Sequence, residues 1–125
     1  MLRWGEFVSN AGHRLPFKIE LDELTDADWD CLARMVAGEF AFSTVEGVPT
    51  GGLRFAEALQ KYVSPPRVNV LLLVDDVLTT GGSMERQRAG RDAMGVVVFA
   101  RSKPVPSWII PIFRLGSIWR TSAKL

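Results

Sequence analysis

Three stretches of the chain are apolar with hardly a break: Val68–Val74, Val96–Ala100 and Trp108–Phe113. Runs of this length mark strands covered on both faces. Elsewhere the apolar positions recur at helical spacing. Thr25 caps a segment whose first turn holds Asp26 and Asp28; Trp29, Leu32, Ala33 and Val36 share one face, and Gly38 ends it. Leu53 to about Tyr62 is also predicted helical, with Leu53, Ala56, Leu59 and Gln60 on one side, until Ser64-Pro65-Pro66 breaks it. Met84 to Ala93 makes a third predicted helix, and Phe40 to Val45 a short strand. The segment up to Leu24, punctuated by Gly5, Ser9-Asn10, Gly12 and Pro16, reads as irregular, with one short strand around Phe17 to Leu21.

Strands that alternate with helices predict a parallel sheet joined by right-handed crossovers. In such sheets ligands bind beyond the carboxyl ends of the strands. Three loops belong there: Gly47–Gly52, Asp75–Ser83 and Arg101–Ser107.

The chain of 125 residues reads as one domain, 1–125, with the 47% hydrophobic and 23% charged residues of a soluble globule. A net charge of +1 creates no field to draw in nucleic acid, so an anion must be held by local geometry. Cys31 is the single cysteine, which excludes an internal disulfide and fits a reducing compartment. Met1–Asn10 has no signal-peptide core and no apolar run is long enough to span a bilayer. The expectation is a cytoplasmic protein that does not engage a membrane.

Leu71 to Ser83 concentrates the chemistry. It predicts a buried strand, two adjacent carboxylates at its exit, then Thr79-Thr80-Gly81-Gly82-Ser83 opening a helix. Small residues let successive backbone amides converge on a phosphate, and the hydroxyls add donors. The carboxylates of Asp75 and Asp76 suit sugar hydroxyls or Mg²⁺. Phosphate plus vicinal diol describes a ribose 5-phosphate. No Gly-Lys-Ser/Thr occurs, which excludes a Walker-type loop.

From Leu71 to Ser83 the sequence resembles the phosphoribosyl pyrophosphate motif of type I phosphoribosyltransferases. The resemblance implies an α/β, Rossmann-like fold: a central, mainly parallel sheet flanked by helices, with a reduced N-terminal hood and no long flexible catalytic loop. It implies that Asp75 and Asp76 hold the ribose hydroxyls and a Mg²⁺ cofactor and are the catalytic pair. The segment Leu78, Thr79, Thr80, Gly81, Gly82 and Ser83 would cradle the 5-phosphate. Its substrates would be phosphoribosyl pyrophosphate and a purine- or pyrimidine-type base. Family members that use 6-oxopurines usually carry Asp where this chain has Thr79, which points to the orotate-like branch.

Val48, Pro49, Thr50 and Gly51 would bind pyrophosphate by the same resemblance, in a loop that often contains a cis peptide. A cis bond at Val48–Pro49 would cost only about 0.5–1 kcal/mol. Arg54 either reaches the pyrophosphate or is an ordinary exposed helical arginine. Ala11 to Leu21 is similar to the orotate family's hood, where Phe17 would stack on the base or serve as a core aromatic. Arg101 stands where orotate enzymes place an arginine for the base's carboxylate.

The family's lysine-rich mobile loop has no counterpart: Lys61 is the one lysine between the two motifs. Two readings follow, a compact phosphoribosyltransferase and a non-catalytic nucleotide-binding module acting as sensor or assembly partner. His13 reads as a solvated loop residue, and Cys31 and Met35 as packing residues. Arg86, Arg88 and Arg91 form a solvated face or a surface for an anionic partner. Trp108, Phe113 and Trp119 suggest a covered edge, and a homodimer stays open.

Overall fold

The computed structural model describes residues 2–8, 14–19, 21–64, 68–101 and 104–114, the first two ranges through their backbone. His13, Pro65, Pro66 and Trp119 lie outside the described residues. The chain runs β1 (Leu2–Val8), β2 (Arg14–Ile19), α1 (Asp26–Glu39), β3 (Thr44–Gly47), α2 (Leu53–Gln60), β4 (Leu71–Leu78), α3 (Gly82–Arg88), β5 (Met94–Ala100) and β6 (Ile109–Arg114), with a short 3-10 turn at Leu21–Glu23. β3, β4, β5 and β6 form a parallel sheet in that order.

The N-terminal segment corrects its expectation. β1 and β2 pair antiparallel, with Leu2 opposite Ile19 and Trp4 opposite Phe17, so the segment expected to be irregular carries a hairpin. The glycines that suggested breaks act between or within extended segments, where local punctuation cannot register cross-strand pairing.

α1 starts as predicted. The Thr25 hydroxyl accepts from the Asp28 amide at 3.1 Å and the Asp28 carboxylate accepts from the Thr25 amide at 2.9 Å, a capping box. Those two bonds hold the Asp28 carboxyl below its usual range. The helix continues through Gly38, whose surroundings are open, to Glu39. Cys31 and Met35 are exposed rather than packed. Phe40–Ser43 is not strand: pairing with β4 begins only at Thr44. α2 docks through Phe55 and Leu59, one turn apart, and leaves Leu53 and Gln60 exposed. α3 is shorter than expected because Ala89 and Gly90 take positive φ values of 52° and 76° and end it.

Alternation along β4 divides the core. Leu72 and Val74, with Val96 and Val98 of β5, pack under Trp29, Ala33 and Val36 of α1 and Phe55 and Leu59 of α2. The Trp29 and Phe55 rings lie 5.6 Å apart. Leu73 and Val97 face the other way, toward Met84 of α3, Val48 and Ile109. α2 and α3 therefore cover opposite faces, although β3→β4 and β4→β5 step in the same direction across the sheet. Two such crossovers have opposite hands, so the expected right-handed rule holds for only one of them. Residues 61–64 and 68–70, between α2 and β4, form neither helix nor strand. A strand there on the far side of β3 would reconcile both hands.

Phe55 is fully buried between the two helices and the sheet. Phe55→Ala should cost about 3–5 kcal/mol of stability, read as a lowered urea midpoint; a loss under 1 kcal/mol would contradict this core assignment.

Candidate functional site

The carboxyl ends of β3, β4 and β5 bring together the loops expected to carry chemistry. β4 extends through both carboxylates, since its ladder to β5 continues with Asp75 opposite Val97, Val77 opposite Phe99 and Leu78 opposite Ala100. The acidic pair thus belongs to the strand rather than to the polar turn after it, and the pair is held by the sheet. Alternation sends the two side chains to opposite faces.

Asp75 is 8% exposed and is the only charged residue counted as buried among the described residues. Its Oδ1 accepts from the Asp76 amide at 2.8 Å, and Asp76 Oδ1 accepts from the Val77 amide at 2.7 Å. Each carboxylate is oriented by the amide of the next residue. Burial, reinforced by the neighbouring Asp76 carboxylate, pushes the Asp75 carboxyl up to about 7.

Asp76 meets the loop after β3. A Cβ on Gly51 would stand 2.7 Å from the Asp76 carboxyl carbon, so only glycine lets the loop lie against this side chain. The Val48 amide donates to the Val74 carbonyl at 2.9 Å and the Gly52 amide to Val48 at 2.8 Å, which fixes the loop on the strand that carries the acids. The cis peptide is Pro49–Thr50, one bond later than the Val48–Pro49 position considered from sequence. Pro49, Thr50 and Gly51 are exposed, while Val48 is buried beneath them. The Thr50 and Gly51 amides have no backbone acceptor among the described residues.

The loop from Thr79 to Ser83 lies beside the pair. Leu78 is buried and anchors it; Thr79, Thr80 and Ser83 are exposed, and Gly81 and Gly82 half-buried. Gly81 adopts φ 89°, the left-handed conformation that turns successive amides to one side. The amides of Thr79, Thr80 and Gly81 also lack a backbone acceptor among the described residues. α3, which follows this loop, is only seven residues long.

Some supports had no local sequence signal. Pro106 lies against Gly81, 3.3 Å from where a Cβ would stand. Trp108 follows: its indole N–H donates to Glu85 at 3.1 Å, and Arg88 stacks over its ring at 4.4 Å while pairing with Glu85. This braces the third loop against the cradle. Ser102 and Lys103 of that loop lie outside the described residues.

The arginines separate. Arg101 is half-buried at the end of β5, its amide donating to Leu78 at 3.1 Å, so it stands at the site's rim. Arg54 pairs with Asp26 at 2.9 Å and lies over Trp29, at an open groove of about 530 Å³ lined only by α1, α2 and Lys61; it is not turned to the pyrophosphate loop. Arg91 grips both Glu46 oxygens at 2.8 and 2.9 Å, joined by Gln87 at 3.0 Å. Arg91 and then Gln87 hold the Glu46 carboxyl below its usual range. The solvated face expected of Arg86, Arg88 and Arg91 is thus partly an internal brace. Phe17 sits opposite Trp4 in the hairpin, and its side chain lies outside the described residues.

No family model and no curated relative matches the chain. Solved structures do. Orotate phosphoribosyltransferase from Aeropyrum pernix aligns over 99% of this chain and 93% of its own, at TM-score 0.72 and 20% identity. The Leishmania donovani UMP synthase aligns over 99% of this chain and 36% of its own, at TM-score 0.69 and 22% identity. The orotate phosphoribosyltransferase of Francisella tularensis aligns over 99% and 82%, at 0.67 and 15%. The chain has the type I phosphoribosyltransferase fold, as the Leu71–Ser83 motif implied.

The raised Asp75 carboxyl predicts a pH dependence. The folded chain keeps a proton up to about 7, whereas the unfolded chain releases it near the ordinary 3.8. This group therefore lowers stability as pH rises from about 4 through 7. Asp75→Asn should leave melting little changed at pH 4 and raise it relative to the parent at pH 8, without ligand. An offset independent of pH would count against a protonated Asp75.

Proposed function

We propose that the protein is a phosphoribosyltransferase of orotate-like type, acting in the cytosol, that transfers ribose 5-phosphate from phosphoribosyl pyrophosphate to a ring nitrogen of a pyrimidine-type base. The observation that carries this reading is the contact of Asp76 with Gly51. It joins the acid pair to the loop after β3, which supports a reading in which a ribose lies over the acids with its pyrophosphate at that loop. The fold and the names of its structural neighbours support the same reading.

In this reading the amides of Thr79, Thr80 and Gly81, with the hydroxyls of Thr79, Thr80 and Ser83, hold the 5-phosphate. Asp75 and Asp76 accept from the ribose hydroxyls and fix the ring. The Thr50 and Gly51 amides meet the pyrophosphate as its bond to C1 breaks, where negative charge grows. The ring passes through an oxocarbenium-like state, and the acid pair opposes its positive charge. The base nitrogen then bonds to C1, with Phe17 and Arg101 as the base-side residues. The exposed Thr50 and Gly51 leave the exclusion of water to whatever closes over them.

Among the described residues no three His, Cys, Asp or Glu gather to hold a metal. Mg²⁺ is commonly held by one or two carboxylates completed by substrate oxygens and water, and Asp75 and Asp76 fit that mode. When bound, the ion would neutralise charge on the departing pyrophosphate.

The stretch between α2 and β4, with no strand among its described residues and Lys61 as its one lysine, favours a second reading: a module that binds phosphoribosyl pyrophosphate without turnover. Calorimetry and a base panel separate the two. Titration with phosphoribosyl pyrophosphate should show Mg²⁺-dependent micromolar binding, about −8 kcal/mol, and Asp75→Asn with Asp76→Asn should abolish it. Binding with no product from any base would select the module; no binding would remove both.

Gly51→Ala offers a second test. The added methyl must displace the Asp76 carboxylate, so phosphoribosyl pyrophosphate binding should fall at least tenfold, about 1.4 kcal/mol. Unchanged binding in a folded variant would disprove the shared site of the two loops.

A further inference from the structure

Three arginines project from the short stretch after the 5-phosphate loop, and the fold consumes two of them. Arg88 is stacked on Trp108 and paired with Glu85; Arg91 is clamped on Glu46. Arg86 meets no carboxylate among the described residues. Its guanidinium turns back along α3 and donates to the Ser83 hydroxyl at 3.3 Å. It also lies along Gly82, with one nitrogen 3.4 Å from where a Cβ would stand. The same spot is 3.5 Å from the Thr80 hydroxyl oxygen, so the cation borders the cradle on the side of two of its hydroxyls.

The cradle otherwise offers only neutral donors: three amides and three hydroxyls. A phosphate monoester near neutral pH carries close to two negative charges. An exposed arginine with no acid of its own, already bonded to one of the cradle's hydroxyls, answers that charge. Arginine also presents several N–H groups in a planar fork, which suits two phosphate oxygens at once.

We propose that Arg86 is a direct ligand of the substrate's terminal 5-phosphate, swinging from Ser83 onto the phosphate oxygens when the ligand enters. This rests on the phosphoribosyl reading above and adds a specificity: the site selects a phosphorylated ribose over the free nucleoside sugar through a cation as well as through amides. Arg86 belongs to the 5-phosphate half alone, since nothing places it near Thr50 or Gly51.

The test uses the full chain with ribose 5-phosphate, ribose and inorganic pyrophosphate as separate probes, at two salt concentrations. Arg86→Gln should weaken ribose 5-phosphate binding about tenfold or more, flatten its salt dependence, and leave pyrophosphate binding unchanged. Arg86→Lys should recover part of the loss, because the charge remains while the fork is gone. Arg86 is exposed and its one side-chain hydrogen bond among the described residues is to Ser83, so melting temperatures should match the parent. If the parent binds ribose 5-phosphate and Arg86→Gln binds it equally well, Arg86 has no such role while the phosphoribosyl reading stands. If the parent binds neither ribose 5-phosphate nor phosphoribosyl pyrophosphate, that reading falls and this proposal with it. Equal loss for ribose 5-phosphate and pyrophosphate would overturn it too, as the mark of a general disturbance of the site.

Discussion

The approach of the Asp76 carboxylate to the α-carbon of Gly51 is the constraint on which the site depends. It requires β3 and β4 to be neighbours in parallel, so that both deliver their following loops to the same end. It requires glycine at 51, because a Cβ would occupy the space of the carboxylate. It also requires the loop to be drawn down onto β4, which the Val48–Val74 and Gly52–Val48 hydrogen bonds accomplish. The sheet's two hydrophobic layers hold those strands in place, and Val48 contributes to the layer under α3. Site and core are therefore continuous at this loop.

A second constraint is electrostatic. Burying Asp75 at the end of a central strand works against folding at neutral pH, since its carboxyl is pushed up to about 7. A structural role alone would be met better by an apolar residue. An acid held here, oriented by the next peptide, is arranged for a partner that arrives later and accepts its charge or donates to it. Perturbed acids of this kind concentrate at functional sites, and the adjacent free amides give this one a chemical context.

The fold is a known architecture with one unusual connection. Helices on opposite faces joined to strands that step one way across the sheet leave a crossover of the uncommon hand, and the described residues between α2 and β4 hold no strand that would resolve it. This fits the absence of a lysine-rich loop from the same interval. The bracing of Pro106, Trp108, Glu85 and Arg88 around Gly81 steadies the Thr79–Ser83 loop from the α3 side.

The amino-acid sequence by itself determined the α/β class, the capping of α1, the strand under Leu71–Val74 and the acid–threonine–glycine run, because each is written in neighbouring residues. Short-range signals also placed the Gly47–Gly52 loop after a strand and before a helix. Only the tertiary structure decided that Asp75 and Asp76 lie within β4, since that follows from pairing with Val97 and Phe99 across the sheet. It alone paired β1 with β2, exposed Leu53 and Cys31, and put α2 and α3 on opposite faces. It also divided three similar arginines among a tryptophan, a glutamate and the Ser83 hydroxyl. Residues far apart in the chain meet through packing and strand register, and no local pattern of side chains encodes which of them will touch.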